Sequence, residues 1–330
     1  MELDSVRELK GMLSKQTMLL GDSAQFRSVS SGAARSFSLS TGLKRTLALG
    51  ITPKKAGFVL AVRIQHRTFD QSRELETIMK KAKGEVDVRY IGAVRKRAVP
   101  WYRQRQRPLR IGCSVGHYKI TAGTLGAFVR PRDGGEIAIL SNNHVLANEN
   151  DAKKGDPVLQ PGRYDKGRKK RDVVARLEAF IPLNHAKANV VDCATATLNN
   201  GMEANLKNIR GLGTLKGVRN AFVDEGTRVA KLGRTTGLTR GRVTAFELDN
   251  VVIEYDSGLL KFDNQLEIEG EGATAFSAGG DSGSLIVDEE LLAVGLLFAG
   301  GDQGGTNGQG LTYANPIHAV LDALKVDFCL

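Results

Sequence analysis

Nothing in this chain provides the usual signs of a membrane span, a cysteine-bound metal or a disulfide-stapled fold. No stretch approaches the roughly 20 consecutive apolar residues that cross a bilayer. The first residues, MELDSVRELKGMLSKQ, are charged where a secretory signal carries an apolar run. Three cysteines, Cys113, Cys193 and Cys329, are an odd number at wide spacing, without the CxxC pairs of zinc or redox motifs. They are expected to be free thiols, and the chain is expected to be soluble and cytoplasmic, with no membrane partner. Aromatic residues are scarce at 6% and glycines plentiful at 38, which argues for tight turns and strands over a helical bundle.

Positive charge is concentrated in one region. Residues 1–110 hold 23 Lys and Arg against 9 Asp and Glu, a balance of +14, while residues 111–330 hold 24 against 27, a balance of −3. A basic first third suits an acidic partner, nucleic acid or protein, although a merely solvated basic face has the same composition.

Three regions follow from composition and periodicity. Residues 1–45 join a short helical pattern, Val6, Leu9 and Leu13, to the Ser/Gly/Ala-rich stretch SSGAARSFSLSTG, which reads as a mobile or linker-like arm. Residues 46–110 read as a small basic α+β module. GFVLAVRIQ is a strand, FDQSRELETIMKKAKG a helix ending at a glycine, and VDVRYIGAVRK a second strand, before the exposed connector AVPWYRQRQRPLR. From residue 111 the pattern becomes short strands separated by Gly, Asn and Asp, among them EIAILSN, VVARLEAFI, TRVAKLG and LLAVGLLFAG, with no helices of parallel-sheet length between them. The expected class is mainly β, in antiparallel barrels. PIHAVLDALKV has helical spacing behind Pro316 and is expected to close the chain as a helix.

Chemistry is suggested by GGDSGS, residues 279–284, ahead of the apolar run LIV. A nucleophilic serine needs an exposed hydroxyl on a tight turn and backbone N–H groups to receive the developing oxyanion, and glycines permit that turn. Ser282 is the candidate nucleophile, and the N–H groups of Gly280 and Ser282 the candidate oxyanion hole. Of five histidines, His144 in AILSNNHVLAN stands where an apolar strand runs into a polar turn, the right place for a base at the rim of a core. A buried carboxylate must then orient the imidazole. Asp192, within the apolar NVVDCATATL, fits better than Asp165 or Asp172 in the basic loop DKGRKKRD.

The order His144, Asp192, Ser282, with LSNNHVL, VVDCATATL and GGDSGS, resembles the trypsin/chymotrypsin family of serine peptidases. VAKLGRTTGLTRGRV, residues 229–243, is similar to the start of the second barrel in bacterial-type and intracellular members. The resemblance covers about residues 111–320. It implies two six-stranded antiparallel barrels, a triad in the cleft between them and no cofactor or metal. It also implies a specificity pocket around Phe276 and Ser277, then Phe298, Ala299 and Gly300. With no acid at Phe276, cleavage of protein substrates after uncharged residues is expected. The chain departs from secreted members in having no disulfide framework and no evident activation site, so Asp281, the residue before the serine, needs another partner or solvent. GGDQGGTNGQG, residues 300–310, is expected to be a flexible loop bordering the cleft, with no ligand assigned.

Two other readings are consistent with the same features: a protease-like binding or assembly module with little turnover, and a nucleic-acid-linked regulator using basic residues 44–110 with a peptidase as effector. A regulatory partner or a homo-oligomer is compatible with each.

Overall fold

A computed structural model describes residues 1–22, 47–55, 57–65, 67, 72–92, 94, 98–220 and 223–330. The Ser/Gly/Ala-rich stretch expected to be an arm lies outside the described residues. The chain divides into two compact units, Met1–Ala98 and Val99–Leu330.

The first unit is a three-stranded sheet with helices. Leu47–Lys54 and Gly57–Ile64 form an antiparallel hairpin, and Val86–Tyr90 lies parallel to the second strand. Parallel neighbours need a crossover, and helix Arg73–Lys81 supplies it. Ser72 caps that helix by accepting from the Leu75 N–H. The expectation of a loose N-terminal arm is corrected for its first half. Leu3–Asp22 is a helix whose Val6 and Leu13 are buried against Leu60, Val62, Ile64, Leu75 and Ile78, so the short apolar periodicity is a packed face.

The boundary at residue 110 is also corrected. The Arg-rich segment expected to be an exposed connector belongs to the second unit, because it is tied there by hydrogen bonds and burial. Leu109 is fully buried and Leu109–Arg110 pairs with Ala204–Asn205. The Arg103 guanidinium donates to the carbonyls of Arg234 and Thr235, and Gln160 accepts from the Gln106 N–H.

The rest of the second unit is dominated by two mainly antiparallel sheet systems of the chymotrypsin type, with small two-stranded sheets beside them. The first runs, in spatial order, through Val326–Phe328, Ala127–Pro131, Ala138–Ser141, Ala194–Leu198, Val173–Phe180, Pro157–Leu159, Ser114–His117 and Gly123–Thr124. Among the described residues no pairing joins its two ends, so it is an open half-barrel where the resemblance implied closure. Its end strands are three and two residues long, too short to supply a closing ladder. The second is closed by six strands: Arg228–Gly233, Gly237–Leu248, Gln265–Gly270, Leu311–Pro316, Leu292–Gly300 and Leu285–Asp288, the last returning to the first. Val229, Val243, Ile268, Phe276, Ile286 and Ala314 fill it. Helix Ile317–Leu324 follows Pro316 as expected and buries Ile317, Val320 and Leu321.

Cys113 and Cys193 are buried in the half-barrel and no disulfide links any cysteine pair. Burial pushes the Cys113 thiol up to about 12 and the Cys193 thiol well above its ordinary range, with the Asp192 charge adding to the latter. Because the thiolate is the reactive form, neither thiol is nucleophilic while the fold is intact. Titration of native protein with a thiol-reactive dye is therefore expected to modify at most Cys329 in minutes, and denaturant to release all three. Rapid native modification of Cys113 would contradict this packing.

Candidate active site

The site begins with register. Ser141 and Ala194 are partners in adjacent antiparallel strands, so the chain leaving Ser141 and the chain entering Ala194 lie at one end of the sheet. A single helical turn, Asn143–Leu146, follows the first strand and carries His144. Asp192 stands just before the second strand rather than within it, fully buried. The His144 Nδ1 lies 2.5 Å from Asp192 Oδ2, and the His144 backbone N–H donates to Asp192 Oδ1 at 3.3 Å. The Asn142 side-chain amide donates to the Asp192 carbonyl and the Asp192 N–H donates to Asn315 Oδ1, which fixes the carboxylate-bearing turn. Burial lowers the affinity of His144 for a proton, but the Asp192 carboxylate outweighs it with help from Glu149 and Asp256, so its pKa is raised.

Ser282 comes from the closed barrel. It sits on the turn between Phe276 and strand Leu285–Asp288, with glycines at 280 and 283 in left-handed conformations, φ +96° and +88°. At Gly283 any side chain would collide as well, since a Cβ there would lie 2.0 Å from Ser141 Oγ. Thr124 of the half-barrel clasps the turn, its N–H donating to the Ser282 carbonyl at 2.8 Å and its hydroxyl to the Gly280 carbonyl at 3.1 Å. The Gly280 and Ser282 N–H groups donate no hydrogen bond among the described residues. His144 and Ser282 both line a cavity of about 590 Å³ and an adjoining one of about 280 Å³. The Ser282 hydroxyl donates to the Phe298 carbonyl at 3.3 Å and not to His144. Long or misdirected nucleophile contacts are common in unliganded sites.

Asp281 has the partner that its position demanded. Its carboxylate is fully buried 3.0 Å from the ammonium of Lys231, itself fully buried on strand Arg228–Gly233. The N–H groups of Thr235, Thr236 and Ala278 and the Thr236 hydroxyl complete its shell. Burial lowers the Lys231 pKa while Asp281 opposes that shift. A second buried pair, Arg234 with Asp165, makes two contacts of 2.7 and 2.9 Å and joins the barrels beside the same turn. Sequence reasoning left Lys231 and Arg234 unassigned, although a Lys in the middle of VAKLG was a signal. A charge on an otherwise apolar strand needs a buried counter-ion.

Ser277, Phe298, Ala299 and Gly300 line the smaller cavity. Phe276 does not. It is 1% exposed and packs inside the closed barrel with Val229, Val243 and Ile268, so its assignment to the pocket is corrected: the aromatic ring gains more from the apolar core than from a polar cavity wall. Glu149, Glu254, Asp256 and Asp302 line the cavity as well, with no Lys or Arg. Part of the 300–310 loop is pinned rather than free. Glu269 accepts from the Thr306 hydroxyl and the Asn307 N–H, which hold its carboxyl at about 2. Tyr255, unassigned from sequence, donates its hydroxyl to Asp192 Oδ2 at 2.7 Å.

An open and a closed antiparallel barrel, with His, Asp and Ser on the loops where they meet, define the trypsin/chymotrypsin class of fold. A family described as the Nal1 C-terminal domain matches residues 171–312. The chain is 28% identical over 218 residues to Protein NARROW LEAF 1 of Oryza sativa subsp. japonica, covering 54% of this chain and 34% of that protein. It thus spans about a third of the length of the curated relative it matches. Among solved structures it is similar to Thermobifida fusca Protease A, with 16% identity, TM-score 0.46, and 68% of this chain and 98% of that chain covered. Cellulomonas bogoriensis chymotrypsin gives 19%, 0.44, 67% and 97%, and Nocardiopsis protease 15%, 0.47, 68% and 99%.

Removing one member of a buried ion pair strands the other. Lys231→Met is expected to lower stability by about 3–5 kcal/mol in urea unfolding, with Lys231→Met/Asp281→Asn recovering a large part. A loss under about 1 kcal/mol in the single variant would mean that the four hydrogen bonds to Asp281 suffice without the cation.

Proposed function

We propose that the chain is a serine endopeptidase that works through an acyl-enzyme. Ser282 attacks a peptide carbonyl, His144 takes its proton, Asp192 holds the imidazole tautomer, and water later hydrolyses the ester. The observation that carries this reading is the juxtaposition of a buried Asp192 on His144 Nδ1 with a Ser282 turn whose Gly280 and Ser282 N–H groups are uncommitted. The Lys231–Asp281 pair supports activity without proteolytic activation, since the turn bearing the nucleophile is braced by a cation of the chain itself. In the smaller cavity Phe298 and Ala299 offer apolar contact, while four carboxylates disfavour an acidic substrate side chain. The preference for uncharged residues that leaned on Phe276 is thereby widened to neutral or basic ones.

One observation favours a second reading, a peptidase-like module that binds without turnover: the Ser282 hydroxyl is engaged by the Phe298 carbonyl. The two are separated by a fluorophosphonate probe, which forms a covalent bond only with an activated serine. Labelling is expected in the full chain, absent in Ser282→Ala and slowed on the order of 10⁴-fold in Asp192→Asn, where the wrong tautomer is held. Since only neutral imidazole can act as base, the rate should rise with pH through a midpoint above the ordinary value of about 6.5. Lack of labelling across pH 6–10 would favour the binding module.

A further inference from the structure

We propose that Tyr255 is a positioning residue for the candidate triad, and that Glu149 seats it by holding the tip of the hairpin on which it lies. The inference rests on the peptidase reading above and concerns how that site is held together.

Asp192 is fully buried, and a buried carboxylate must have its oxygens satisfied. Oδ2 faces His144 Nδ1 and the Tyr255 hydroxyl, and among the described residues no other side-chain hydroxyl donates to it. The phenol ring is itself fixed. It meets the His144 ring in a T-shaped arrangement at 5.7 Å and 80°, and stacks on Phe262 at 6.0 Å, which rests in turn on Phe298 at 4.6 Å. The donor belongs to an element outside both barrels.

That element is a hairpin, Val251–Tyr255 with Gly258–Phe262, forming a two-stranded sheet of its own. Val251, Ile253, Tyr255, Leu260 and Phe262 turn one face inward to Leu183 and Phe298, while Val252, Glu254 and Leu259 are exposed. A two-stranded hairpin is marginal in water, so its place depends on what holds it. Its base is held by Asn189, whose N–H donates to the Lys261 carbonyl and whose carbonyl accepts from the Asp263 N–H. At its tip the N–H groups of Asp256 and Ser257 donate to the Glu149 carboxylate at 3.2 and 2.9 Å.

Glu149 is presented at a conformational cost. Asn148, Glu149 and Asn150 are all left-handed, with φ of +50°, +53° and +78°, and a run of non-glycine residues there costs about 1 kcal/mol or more for each. Such strain persists only where other contacts over-determine it. Here Asn150 and Asn143 exchange two hydrogen bonds of 2.8 and 3.1 Å, and the Asn150 amide also donates to the Leu183 carbonyl. Asn143 is the residue before His144. The strained turn thus spans from the base to the carboxylate that anchors the hairpin, and the hairpin returns to the carboxylate that orients the base.

The test compares full-length wild type, Tyr255→Phe, Glu149→Ala and the double variant by fluorophosphonate labelling rate across pH, with the His144 ring titration followed by NMR. Tyr255→Phe leaves Asp192 Oδ2 to the imidazole ring alone. It is expected to slow labelling roughly tenfold on the alkaline plateau and to raise both the pH midpoint and the ring titration by about one unit. Glu149→Ala is expected to speed deuterium exchange at the Asp256 and Ser257 amides at least tenfold, and to slow labelling by a factor similar to that of Tyr255→Phe. The double variant should be no slower than the slower single one, because both break one linkage. Glu149→Gln, which keeps one acceptor oxygen, should be intermediate. An unchanged ring titration in Tyr255→Phe, or factors that multiply in the double variant, would overturn the proposal. If wild type fails to label, the peptidase reading falls, while the ring titration still decides whether Tyr255 positions Asp192.

Discussion

The second unit depends most on the buried contact between Lys231 and Asp281. Neither side chain touches water, and each alone would carry several kcal/mol of unrecovered desolvation. Paired, they tie the Ser282 turn to a strand of the closed barrel, at the one residue directly before Ser282. The consequence is geometric before it is energetic. Asp281 also takes the N–H groups of Thr235, Thr236 and Ala278, so the segments on either side of the pair are fixed together. The flanking N–H groups, those of Gly280 and Ser282, donate to no acceptor among the described residues.

Around this brace the site is assembled from elements with little freedom. Strand register puts His144 and Asp192 at one end of the half-barrel, and Thr124 clasps the serine turn across to it. Gly283 fills a gap in which a methyl group would overlap Ser141, so the barrels approach closely only because that residue has no side chain. The Arg234–Asp165 pair adds a bidentate contact beside the same junction. Each link is ordinary alone. Together they leave His144 and Ser282 facing shared cavities, the precondition for any chemistry there.

Much of this was legible in the sequence, for identifiable reasons. His144, Asp192 and Ser282 stand out because each is a polar residue at the edge of an apolar run, where solvation alone does not explain it. The short strands with Gly and Asn between them gave the β class, and Pro316 marked the last helix. What sequence missed was long-range pairing. Periodicity shows that Phe276 is apolar and near the serine, but not that it turns into the barrel, because the pocket wall and the barrel core are neighbours along the chain. Val6 and Leu13 repeat at helical spacing, yet the residues they pack against, Leu60 to Ile78, lie far along the chain, so a packed helix read as part of a loose arm. The arginines at 103–110 looked solvated because their acceptors, the carbonyls of Arg234 and Thr235 and the side chain of Gln160, belong to distant loops.

Tyr255 illustrates the same limit at the site itself. VVIEYDSGLLKF reads as a hairpin with one apolar face, and nothing local says that its tyrosine reaches the carboxylate of a residue 63 positions earlier. The hint is indirect: a strand position ahead of a two-residue turn is a costly place for a buried phenol unless its hydroxyl finds an acceptor. Burial and the neighbouring Asp192 charge push the Tyr255 pKa well above its ordinary value, so the hydroxyl stays a donor throughout the range in which His144 titrates. A donor that does not change state while the base does can hold Asp192 equally well before and after proton transfer. In the proposed peptidase cycle the imidazolium would then meet a carboxylate already in place, with no reorganisation left to make.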